Sequence, residues 1–219
     1  MREKALMPKD ILHLIDGYKK FKARNYSSSD SSFQELVKKG QRPKVLMIAC
    51  SDSRVDPAIV MDCEPGDLFV VRNVANLIPP YENDSGYHGT SAALEFGVCH
   101  LGIRHIVVLG HTQCGGIKAL VEGSGSVSKN IGFISKWMEI ARPAYDLVAE
   151  KYSTESLEEK AHLCGHYSLI NSFKNLHTFP WIKERVEAGQ LFLHAWCFDL
   201  ATGVIQALEP KDGTFKELV

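Results

Sequence analysis

The sequence predicts an α/β fold: a mostly parallel central sheet of four parallel strands plus an antiparallel edge, flanked by helices and preceded by an N-terminal helical arm. Three observations lead there. Short apolar runs, KVLMIA (44–49), one within DLFVVRNVAN (67–76) and RHIVVLG (104–110), alternate with helix-period segments. That alternation is the mark of parallel strands covered on both faces. Two further runs, LFLHAWCFDL (191–200) and VIQALE (204–209), flank ATG and read as a hairpin that adds antiparallel pairing at one edge. Finally, 219 residues at 45% hydrophobic content suit one sizeable domain with an accessory arm. The arm is assigned to residues 1–38 and the domain to 39–219.

Each element has its own signal. Ile11, Leu12, Leu14, Ile15, Tyr18 and Phe21 recur at helical spacing between Lys and Asp, so 8–24 is an amphipathic helix. YSSSDSS (26–32) breaks it and caps a second short helix running through Val37. The turn signal EPGD introduces the strand within 67–76. PPYENDSGYHG (79–89) is a loop, followed by a helix from about Thr90 to Leu101. RHIVVLG is rich in β-branched residues, as strands are. From Ile117 the pattern is helical, interrupted by GSGS and by Pro143, and it resumes from about Thr154 to Leu176.

Composition narrows the function. A formal net charge of −1, without blocks of like charge, argues against a nucleic-acid surface, which needs clustered Lys and Arg. No apolar stretch approaches the roughly 20 residues that span a bilayer. MREKALMPKDILHLID carries charges every few residues and no signal-peptide apolar core, so a cytoplasmic protein is expected. Its N-terminal helix lacks the strongly basic face of a membrane-surface helix. The six cysteines, Cys50, Cys63, Cys99, Cys114, Cys164 and Cys197, are irregularly spaced without a CxxC pair. In a reducing compartment most read as small buried hydrophobes.

Two strand ends stand apart. KVLMIA delivers Cys50, and RHIVVLG delivers His111 followed by Cys114 in HTQCGG. Sites in open α/β sheets form where strand carboxyl ends meet, so neighbouring strands would bring these three together. Two thiolates and an imidazole suit zinc, and three protein ligands leave one tetrahedral position open, as catalytic sites do. The Gly-Gly after Cys114 permits a tight turn and exposes N–H groups at the start of the next helix. Just past Cys50, Asp52 and Arg54 can pair, which would hold the carboxylate ionised and oriented. The plainer reading of that pair is a surface salt bridge worth little.

CSDSR and HTQCGG, with the segments GQRPKVLMIACSDSRV, EPGDLFVVRNVAN and HGTSAALEFGVCHLGIRHIVVLGHTQCGGIKAL, resemble the β-class carbonic anhydrases. The likeness continues more weakly through NLHTFP and GQLFLHAWCFDLATGVI. It implies reversible hydration of CO₂ to bicarbonate and a proton. It implies Zn²⁺ on Cys50, His111 and Cys114, with water or hydroxide as fourth ligand oriented by an Asp52–Arg54 dyad. Gln41 falls where plant-type members carry an active-site glutamine. Phe69, Val74 and Phe96 fall at apolar pocket positions, with Gly115 also assigned to substrate. Phe96 stands where plant enzymes commonly have tyrosine.

The resemblance also implies an intertwined homodimer, with a tetramer or larger assembly open. Gln41 and Phe69 would then serve the neighbouring chain's zinc, and the N-terminal arm would lie on the partner. Within the class, one form keeps the aspartate on arginine; the other closes when the aspartate ligates zinc, and carries tryptophan three residues before the first zinc cysteine. Here that position is Met47, so the open, plant-type form is expected.

Other readings stay open. The same scaffold could hydrolyse carbonyl sulfide or carbon disulfide. A structural zinc in an interaction module would need Asp52 or Cys63 as fourth ligand. A zinc deaminase lacks its HxE…PCxxC signature, and a thiol redox protein lacks CxxC. His162 and His166, four apart around Cys164, suggest a second metal, but without an accompanying HExxH-type acid burial of one helix face is the favoured reading. Tyr87 and His88 are candidates to relay protons.

Overall fold

The computed structural model describes residues 8–27, 32–84, 86–123 and 132–219. Most of the serine-rich break after Tyr26 and nearly all of the GSGS segment lie outside the described residues. The chain divides into two units, Met1–Gln41 and Arg42–Val219. In the first, α1 (Lys9–Asn25) and α2 (Ser32–Lys39) form as expected. Phe21, Tyr26 and Phe33 make a small aromatic cluster there, with centroids 5.3 to 6.2 Å apart. No residue of α1 is buried.

The second unit is built on a six-stranded sheet of order β2-β1-β3-β4-β5-β6. The strands are β1 (Val45–Cys50), β2 (Leu68–Asn73), β3 (His105–His111), β4 (Phe192–Phe198), β5 (Ile205–Glu209) and β6 (Thr214–Glu217). The first four are parallel; β5 and β6 add antiparallel pairing at one edge. β1 and β3 read as unbroken apolar runs because both their faces are covered. On one face Leu46, Ile48, Ile106 and Val108 pack with Leu94, Val98, Leu169 and Ile182. On the other, Met47, Ala49, Val107 and Leu109 gather with Met61 and Trp196.

The helices of this unit are α3 (Pro57–Val60), α4 (Gly89–Glu95), α5 (Gly115–Val121), α6 (Phe133–Met138), α7 (Arg142–Lys151), α8 (Leu157–Leu176) and α9 (Pro180–Glu187). α4 passes into a π-helical turn at Phe96–Leu101, which ends on left-handed Gly102. Pro143 does not simply break a helix: it sits in the first turn of α7, where a missing N–H costs nothing. Ser156 caps α8 by accepting the Glu159 N–H at 3.1 Å. Three elements escape the sequence reading, α3, α9 and β6. No described helix is long and apolar enough to cross a membrane.

Helix α8 is seated on β3 through Gly110. A Cβ there would stand 2.8 Å from Leu169 Cδ1 and about as close to the rest of that buried side chain. Gly110→Ala should therefore cost about 1–3 kcal/mol, the usual range for overpacking. Gly165→Ala, on the same helix with open space around it, should be neutral or stabilising. Chemical denaturation of both variants checks the contrast.

Candidate active site

The parallel register places the ends of β1 and β3 side by side. Ala49 pairs with Leu109, so Cys50 and His111 leave the sheet at the same end. Cys114 follows after a turn in which Gln113 takes a positive φ of 57°. Cys50 Sγ and Cys114 Sγ stand 3.9 Å apart. With a His111 ring nitrogen, the three donor atoms lie within 4.8 Å of one another, and all three residues are buried. A second group, Glu82, Asp84 and His88, is mostly exposed.

The donor set fits a metal. His111 Nδ1 lies 2.8 Å from the Thr112 carbonyl. A carbonyl only accepts, so Nδ1 carries the proton and Nε2 presents its lone pair. Nε2 is buried with no hydrogen-bond partner among the described residues, which is costly for a nitrogen with nothing to bind. The thiols share protons unequally. The hydrogen bond with Cys114 pulls Cys50 down to about 4, and the same contact, with burial, pushes Cys114 up. Backbone N–H groups of Asp52 and Ala75 support the Cys50 sulfur, while those of Ile117 and Gly116 support Cys114. A dication would displace both thiol protons. The cluster is consistent with zinc.

Asp52 and Arg54 are joined in a fork. Arg54 Nε donates to Oδ1 at 3.0 Å and Nη2 to Oδ2 at 2.7 Å, and the Arg54 backbone N–H also reaches Oδ1. These bonds, the side-chain one foremost, hold the Asp52 carboxyl well below the usual carboxylate range. Arg54 Nη2 also approaches the Gln113 carbonyl at 3.4 Å, tying the two loops together.

The remaining candidates are placed as follows. Phe69 on β2 and Phe96 at the π-helical turn have rings 5.9 Å apart, and Phe96 also stacks on His100. Val74 follows β2 and crowds Gly116, where a Cβ would come within 3.0 Å of Val74 Cγ1. Gly115 has open space where a Cβ would stand. Gln41 is exposed and belongs to the first unit. Tyr87 is fully exposed, and His88 is bonded to Asp84 at 2.6 Å. Cys164 and Cys197 are buried, and burial pushes each thiol up to about 12, so they are inert packing. Cys63 is half-buried and Cys99 exposed.

Two supports were not foreseen from sequence. Arg72 donates to the carbonyls of Cys50 (3.0 Å) and Asp52 (2.6 Å) and to Asp56 Oδ2 (2.7 Å), so one guanidinium shapes the whole CSDSR loop. Thr112 Oγ1 donates to Asp199 Oδ1 at 3.2 Å and accepts the Leu200 N–H at 3.0 Å. That fixes the carbonyl on which His111 rests.

The carbonic anhydrase family profile matches residues 45–205. The chain belongs to the β-class carbonic anhydrases. It is 36% identical over 206 residues to a carbonic anhydrase of Synechocystis sp., covering 94% of this chain and 73% of that one. It is 40% identical over 174 residues to the chloroplastic beta carbonic anhydrase 5 of Arabidopsis thaliana, covering 80% of this chain and 56% of that one. Among solved structures, the beta-carbonic anhydrase CcaA superposes with a TM-score of 0.89 at 33% identity, covering 97% of this chain and 93% of that one. A tetrameric beta-carbonic anhydrase of Sordaria macrospora gives 0.72 at 28% identity, with 95% of each chain covered.

The Thr112–Asp199 support makes a test of metal retention. Thr112→Val keeps the carbonyl that holds His111 but removes the hydroxyl that fixes it. Loss of such an outer partner typically costs about 10–100-fold in metal affinity. Chelator competition should show that loss, with Thr112→Ser restoring retention.

Proposed function

We propose that Cys50, His111 and Cys114 hold the zinc at which this carbonic anhydrase hydrates CO₂, and that Asp52, fixed by Arg54, orients the attacking oxygen. The observation that carries the reading is the bare, buried His111 Nε2 facing two sulfurs 3.9 Å apart beside an aspartate whose two oxygens both belong to one guanidinium. When bound, zinc supplies a Lewis acid and lowers the pKa of water from about 15.7 toward about 7, a figure that belongs to a three-histidine carbonic anhydrase.

The chain's own residues do the rest. His111 and the thiolates present their donors without rearrangement, because Thr112 and the backbone N–H groups already aim them. Asp52 is ionised and can only accept, so it takes the hydrogen bond of the nucleophile's remaining proton. That turns the oxygen lone pair toward the carbon of CO₂. CO₂ is uncharged and linear, so an apolar slot suits it better than binding groups. Val74 and Phe96 offer that surface, with Phe69 supplied from the neighbouring chain in the dimer proposed below, and Gly115 leaves room beside it. The product proton must then leave to solvent.

The fork between Arg54 and Asp52 supports the open form of the class, with Asp52 kept off the metal. Met47, rather than tryptophan, accords with this. We further propose a homodimer, with residues 1–38 as an arm on the partner and Gln41 and Phe69 completing the neighbouring site. The tetrameric Sordaria relative leaves room for a larger assembly. A fully active monomer in sedimentation would contradict the shared site. All six cysteines are free, which suits a reducing, cytoplasmic setting.

Stopped-flow CO₂ hydration on protein of measured zinc content tests the mechanism, with sulfide release from carbonyl sulfide followed in parallel. Asp52→Asn should keep its zinc and lose about a hundredfold or more in rate, since an amide donates where an acceptor is needed. Arg54→Lys should be impaired too, because an ammonium cannot make the fork. Unchanged hydration by zinc-loaded Asp52→Asn would remove the dyad from the mechanism.

A further inference from the structure

Behind the cysteine–histidine cluster lies a cavity of about 920 Å³ between the β3 end, α5 and α8. His111 and Cys114 form one wall; His162, His166 and Ser168 form another. Three buried side-chain polar atoms among the described residues have no hydrogen-bond partner, and all belong to residues that line this space: His111 Nε2, His166 Nε2 and Ser168 Oγ. The first is explained by zinc. The others call for a separate occupant.

Residues 158, 162 and 166 are spaced one helical turn apart, so Glu158, His162 and His166 form a stripe along α8, and all three line the cavity. The two imidazoles meet edge to face with centroids 4.5 Å apart. Phe215 of β6 stacks on His166 with centroids 4.3 Å apart and an interplanar angle of 16°, holding that ring in place. His162 is exposed and can turn at little cost.

We propose that His162 and His166 form a second metal site, distinct from the catalytic one, for a borderline divalent transition ion of the nickel–copper–zinc type. Imidazole pairs suit these ions, and water can complete the shell. Burial first, then the neighbouring His162, pushes His166 down to about 4, so its ring stays a neutral donor across the range in which enzymes work. Favoured burial of one helix face does not account for the pair, since His162 faces solvent while Nε2 of His166 is sealed without a partner. The site needs no thiolate, so its occupancy is independent of the catalytic ligands.

The test uses tag-free, zinc-loaded enzyme in equilibrium dialysis against micromolar nickel, with both metals measured. Wild-type protein should take up one nickel per chain while its zinc content stays unchanged. His162→Gln and His166→Gln should each lose that nickel, and His88→Gln and His177→Gln should keep it. His162→Gln alters only an exposed side chain, so it remains informative should His166→Gln fold poorly. No nickel uptake, meaning a cavity filled by water alone, would overturn the site. So would retention of the nickel by either α8 variant, or uptake matched by equal loss of zinc.

Discussion

Parallel pairing of β1 with β3 carries the site. Ala49 stands opposite Leu109, so the chain leaves both strands at the same end of the sheet, one with Cys50 and the other with His111. A slip of one residue in that register would send every side chain of the strand to the opposite face of the sheet. The slip is forbidden by the two apolar layers that β1 and β3 fill, Leu46 and Ile48 on one face, Met47 and Ala49 on the other. Fold stability and donor placement are therefore one constraint. The candidate ligands Cys50 and His111 are precisely placed because they sit at the ends of paired, buried strands.

Arginines then shape what the strands deliver. Arg72 gathers the carbonyls of Cys50 and Asp52 with the Asp56 carboxylate, and Arg54 takes both oxygens of Asp52. Between them they set where the Asp52 carboxylate stands and which protonation state it has. An exposed ion pair would contribute little to stability. This one contributes geometry. Asp52 is less exposed than its partner, with 18% of its side chain accessible against 50% for Arg54, so the acceptor faces inward while the cation meets solvent.

Much of this could be read from sequence where the physics is local. Strands covered on both faces announce themselves as apolar runs, and strand-end Cys and His stand out against them. β6 did not: Thr214–Glu217 is four residues long, mostly polar, and becomes a strand only by pairing with β5. Helix α9 was hidden by its brevity and by the turn at His177–Phe179, though Pro180 marks its first turn. The π-helical turn that carries Phe96 has no periodicity signal of its own. The supports of the site were the least legible. Arg72 works through backbone carbonyls, and Thr112 finds Asp199 across 87 residues, so neither leaves a motif. His162 and His166 could be seen as a pair, but only the cavity distinguishes a binding face from a packed one.

The central claim is that two sulfurs and one imidazole, and no more of this chain, bind the catalytic zinc. X-ray absorption at the zinc edge, on purified enzyme at neutral pH with one zinc per chain, tests it most directly. The account predicts two sulfur scatterers at about 2.3 Å and two lighter ones at about 2.0–2.1 Å, one of them with the outer-shell signature of imidazole. Four sulfurs, a shell without sulfur, or two imidazoles would contradict it.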